Sequence, residues 1–109
     1  MFGLQAPAAI PVELRSSRRR LFRLSLSVGE EGLQLVRPAP FELGEPVSLR
    51  FLLPGASEPL TLRATVEPAD DEDERNDRGG RALKLIEAPR AAREALHRYV
   101  ARRLGLPGH

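Results

Sequence analysis

Apolar and polar side chains alternate in short runs along most of this chain, the period of a strand with one buried face. Ile10, Val12 and Leu14 alternate with Pro11 and Glu13, and the proline suits a sheet edge. Phe22, Leu24 and Leu26 alternate with Arg23, Ser25 and Ser27, which predicts a second strand with its large apolar residues in core phase. VGEEG, from Val28 to Gly32, predicts a turn. Leu33 and Leu35 open a third short strand, ended by Pro38 and Pro40. After the LGEP turn, Val47, Leu49, Phe51 and Leu53 give the clearest alternation in the chain. PGASEP then makes a loop, and Leu60, Leu62, Ala64 and Val66 mark a fifth strand. Residues 68 to 80, PADDEDERNDRGG, hold no apolar side chain larger than alanine and predict a solvated acidic loop. Leu83 and Leu85 flank Lys84 in a sixth strand. The period then changes. From Arg90 to Leu104, Ala92, Leu96, Tyr99, Val100 and Leu104 fall on one helical face. Pro89 precedes this helix, and Gly105 and Pro107 stop it.

Six short strands and one helix predict a mainly β fold: a six-stranded antiparallel β-barrel with one C-terminal α-helix. The apolar stripe of the helix is expected to pack on the barrel rather than on a second copy. Residues 1–9 are expected to form a flexible arm, 10–104 the domain, and 105–109 a tail. The 109 residues fit one domain. With no cysteine, disulfides, thiolate metal sites and cysteine nucleophiles are excluded. No apolar run approaches the roughly 20 residues of a membrane span. The first ten residues lack the pattern of a signal peptide, so the expectation is a soluble cytoplasmic protein.

Charge changes the picture only when it is placed. Sixteen of the 17 basic residues are arginine, a bias that coding from a GC-rich genome explains, and the formal net charge is +2. Arg15, Arg18, Arg19, Arg20 and Arg23 lie within nine positions that contain no acid. Asp70, Asp71, Glu72, Asp73, Glu74 and Asp77 form an equally dense acidic run. Guanidinium forks suit phosphates and guanine edges, whereas a solvated hairpin is the plain alternative for the arginine cluster. Nucleic-acid binding is not expected: there is no helix-turn-helix pattern and too few stacking aromatics. The acidic run does not make a calcium loop, because Arg75 occupies a ligand position. No metal site is expected. His97, the only interior histidine, reads as a solvated helix residue, and no serine has a nucleophile setting. An enzyme is therefore not expected.

Two stretches carry a resemblance. SLSVGEEGLQL at Ser25 to Leu35 is followed by G-x-x-V-x-L-x-x-x-L-P-G at Gly44 to Gly55. With TLRATVEP, RALKLIEAP and the final helix, the order over roughly residues 10–104 resembles the PilZ domain family. The resemblance implies a six-stranded barrel with a C-terminal helix and a role in bacterial signalling. It also implies a cyclic di-GMP site, built from an R-x-x-x-R arm before the barrel and a D/N-x-S-x-x-G turn. Carried onto this chain, the candidate nucleotide-binding residues are Arg15, Arg19, Arg20, Arg23, Ser25, Ser27, Gly29 and Gly32. Ser27 fits the motif serine. Ser25 stands at the acid or amide position and Glu30 at the final glycine position. No arginine precedes Ile10, where the arm belongs, so the cluster reads as the connection between the first two strands. The leading expectation is a PilZ-like adaptor in motility, pilus or polarity control that contacts proteins and has lost the nucleotide. Arg18, Arg19, Arg20, Asp70, Asp71 and Asp73 are its candidate partner-binding residues. The alternative is a cyclic di-GMP receptor with an irregular site. No cofactor is expected, and the oligomeric state stays open.

Overall fold

The computed structural model describes residues 3–67 and 80–106. Seven strands precede one helix: β1 (Ala6–Pro7), β2 (Pro11–Arg15), β3 (Arg20–Val28), β4 (Gly32–Ala39), β5 (Pro46–Phe51), β6 (Leu60–Glu67), β7 (Gly80–Glu87) and α1 (Arg90–Leu104). All pairings are antiparallel, in the order β1-β3-β2-β5-β6-β7-β4, and a further β3–β4 pairing closes the sheet. The result is the expected six-stranded barrel, with β1 as a short seventh strand. Closure leaves no long open edge. Gly44 and Gly55, with φ of 83° and 85°, make the turns before and after β5 that side chains would strain.

The interior is mostly aliphatic, with Phe41 and Phe51 added. Val12, Leu14, Leu35, Leu49, Leu62, Val66 and Leu83 are almost wholly buried, and the predicted alternation holds along β2, β5 and β6. Ala92, Leu96 and Val100 bury the stripe of α1, and Ala92 and Leu96 join the barrel core. The helix thus packs on the barrel, as expected. Gly105 ends it in the left-handed conformation.

β3 departs from its predicted phase. Phe22, Leu24 and Leu26 point outward and are 57%, 45% and 55% exposed. The register explains the inversion. Leu14 pairs Leu21 and Val12 pairs Arg23. Directly paired residues share a face, so the two buried β2 side chains bring Leu21 and Arg23 inward with them. Arg23 keeps its head satisfied by donating from Nε to Pro38 O (3.3 Å) and from Nη1 to Phe22 O (3.1 Å). A register shift between Ser25 and Ser27 then turns Val28 back into the core.

The segment expected to be a flexible arm is held from Gln5 onward. Ala6 pairs Val28 and is fully buried, and Pro7 pairs Ser27. Residues 8–10 interrupt the line from β1 to β2. Ser25, also fully buried, bridges the interruption: its Oγ donates to Ala8 O and accepts from Ile10 N at 2.9 Å. Its own N–H donates to Ile10 O (2.9 Å). The acidic run lies outside the described residues, and Gly80, assigned to that loop in the sequence reading, opens β7.

Ser25→Ala leaves a buried carbonyl and N–H unpaired and should cost about 1–3 kcal/mol in urea unfolding. Leu49→Ala should cost about 2–5 kcal/mol, while Leu24→Ser, on the outer face of β3, should change stability by less than about 1 kcal/mol.

Candidate functional site

The two ends of the barrel have different chemistry. One end carries the β3–β4 turn, the start of β2, the end of β5 and the helix. At this end Ser27 Oγ donates to Gln5 Oε1 at 2.8 Å, and Gln5 Nε2 donates to Gly32 O at 3.0 Å. Gly29 N donates to Gly32 O at 2.9 Å and closes the turn. A Cβ on Gly29 would stand 2.4 Å from both Leu4 O and Gln5 Nε2, so the chain before β1 lies directly against the turn. On its other side the turn meets α1. His97 Nδ1 is 2.7 Å from Glu30 Oε2, and Arg103 Nη2 donates to Pro7 O at 3.2 Å. A surface cavity of about 420 Å³ beside this contact is lined by Glu30, Arg90, Arg93, Glu94, His97 and Arg98.

The other end carries the arginines. Arg15 pairs Arg20, and residues 16–19 form the hairpin between β2 and β3. Ser16 Oγ accepts from the N–H groups of Arg18 (3.2 Å) and Arg19 (3.3 Å) and shapes that turn. Arg20 is ion-paired to Glu13 and lies over the Phe22 ring, 5.8 Å from its centroid.

Seven residue steps along β3 take the chain from Arg20 to Ser27, roughly 23 Å at the usual strand rise. The nucleotide-site residues predicted from the sequence are therefore split three ways. Ser27, Gly29 and Gly32 come together at the turn. Arg15, Arg19 and Arg20 gather at the far hairpin. Arg23 faces inward between them, and Ser25 is fully buried with its hydroxyl engaged at both lone pair and proton. Of the predicted partner-binding residues, Arg18, Arg19 and Arg20 lie on or beside the hairpin, while Asp70, Asp71 and Asp73 fall outside the described residues.

The family model for the PilZ domain matches residues 6–102. The chain belongs to the PilZ domain family. Its match starts at β1 and ends within α1, so it takes in the short strand as well as the barrel. Among solved structures, the inhibitor of motility from Bacillus subtilis, MotI/DgrA, superposes with a TM-score of 0.75 at 21% identity. That superposition covers 93% of this chain and 49% of the other, so this PilZ domain spans about half the length of that protein. No curated protein sequence matches this chain at comparable stringency.

Sequence reasoning missed Gln5, which takes the place beside the serine turn. One signal was present: Gln5 is the only polar side chain among residues 1–9. The Glu30–His97 contact carried no signal, because 67 positions separate the two residues.

Gly29→Ala should push Leu4 and Gln5 off the turn. Hydrogen exchange should then speed at Ala6 and Ala8, with a stability loss of about 1–3 kcal/mol. Unchanged exchange would show that Gly29 does not hold this contact.

Proposed function

We propose that this PilZ domain is a non-catalytic cytoplasmic signalling module that acts through protein contacts in motility, pilus or polarity control and no longer binds cyclic di-GMP. One observation carries the reading: the serine turn is bonded to the chain's own Gln5, while the clustered arginines stand at the other end of β3. The family's site needs guanidinium groups beside that turn to meet phosphates and guanine edges. Gln5 is neutral there and uses both ends of its amide on Ser27 and Gly32. Glu30 adds a carboxylate to the same turn, and like charge disfavours a dinucleotide phosphate.

The outer face of the barrel supports protein contact. Phe22, Leu24 and Leu26 of β3 are exposed on the outer face, and the Ser25–Leu35 pairing puts Leu24 opposite Val36 of β4, itself 43% exposed. Large apolar side chains grouped in this way suit a protein surface. The solved neighbour, an inhibitor of motility, is compatible with a motility role for the fold.

Isothermal titration of the purified chain with cyclic di-GMP should give no saturable heat at micromolar concentrations. Saturable micromolar binding that Ser27→Ala weakens would overturn the loss of the nucleotide and make the chain a receptor.

A further inference from the structure

The hairpin end of the barrel holds an unassigned cleft. Arg15 pairs Ser48 across β2 and β5, and Ser48 pairs Arg63 across β5 and β6. These three residues form one row across three strands. Neighbouring strands lie about 4.8 Å apart, which puts the two arginine backbones roughly 10 Å apart with Ser48 midway. Paired residues project to the same face, so a guanidinium stands on each side of the Ser48 hydroxyl. The hairpin adds Ser16 and Ser17, and the cleft they line together with Glu45 has a volume of about 370 Å³.

Among the described residues, three acids bear on this row: Glu45, Glu13 and Glu87. Glu45 Oε1 accepts from Glu42 N at 2.9 Å within its own turn. Glu13 is held by Arg20. Glu87 approaches Arg63 only at 3.7 Å, with both side chains more than half exposed, a contact easily exchanged for another anion. Arg15 makes no ion pair among the described residues.

We propose that this cleft binds a phosphate monoester. Two guanidinium forks flank the Ser48 hydroxyl along one row and offer more donors than a planar carboxylate can accept. A tetrahedral dianion with three free oxygens matches that number and arrangement. The volume exceeds that of a phosphate group, which leaves room for the atoms that carry it. Ser16 Oγ uses its lone pairs on the hairpin amides, which leaves its proton free to donate. This site is independent of the cyclic di-GMP question, because it lies at the opposite end of the barrel from the serine turn.

The test is a titration of the ¹⁵N-labelled chain, followed by amide shifts at constant ionic strength. One arm uses inorganic phosphate, and a second uses a phosphoserine peptide beside its unphosphorylated copy. The expected result is saturable shifts centred on Ser16, Ser17 and Ser48, with tighter binding in one arm identifying a free or a peptide-borne phosphate. Arg15→Gln and Arg63→Gln should each weaken binding at least tenfold, while Arg98→Gln, at the helix end, leaves it unchanged. Both arginines of the cleft are exposed, and the spectra themselves report whether the variants fold. No saturable shift in either arm, or shifts that survive Arg15→Gln together with Arg63→Gln, would overturn the proposal.

Discussion

The barrel depends on β3 serving three partners at once. Its first half pairs β2, and its second half pairs both β1 and β4. Between the two β-strands on one side, the backbone ladder breaks at residues 8–10. A broken rung in a buried wall leaves polar groups without water, which is costly unless a side chain replaces the missing partners. Ser25 is that side chain, small enough for the interior and able both to donate and to accept. Its phase also decides the rest of the strand. With Ser25 inside, Phe22, Leu24 and Leu26 must face out, and the bulge after it returns Val28 to the core.

The same break sets the chemistry of the helix end. By resuming the pairing at Ala6, the chain brings Gln5 to the β3–β4 turn and Pro7 within reach of Arg103 on the helix. The turn is thus packed by its own N-terminal segment on one side and by His97 on the other. At the hairpin end nothing comparable covers Arg15, Ser48 and Arg63 among the described residues.

Much of the fold was legible because its strongest signals are local. Val47, Leu49, Phe51 and Leu53 alternate without interruption, and all four are buried. The helix is bounded by Pro89 and Gly105, whose backbone preferences act within a turn. The arginine cluster straddles the expected connection: Arg18 and Arg19 lie in the hairpin, whereas Arg15 ends β2 and Arg20 and Arg23 belong to β3. The inverted face of β3 was not legible. Three large apolar residues outweighed Ser25 and Ser27 in any local pattern, and only the register with β2 selects the other face. Gln5 was hidden for a similar reason. A two-residue strand has no periodicity, and its partner residues are about 20 positions away. The cleft at the hairpin end escaped notice because Arg15, Ser48 and Arg63 meet only through the sheet.

The account's central claim is that Gln5 occupies the place where the family's ligand would meet the serine turn. A crystal structure grown with cyclic di-GMP at millimolar concentration addresses it most directly. The account predicts Gln5 still bonded to Ser27 and Gly32, with no nucleotide density against the turn. Nucleotide seated on Ser27, Gly29 and Gly32, with Gln5 displaced, would contradict it.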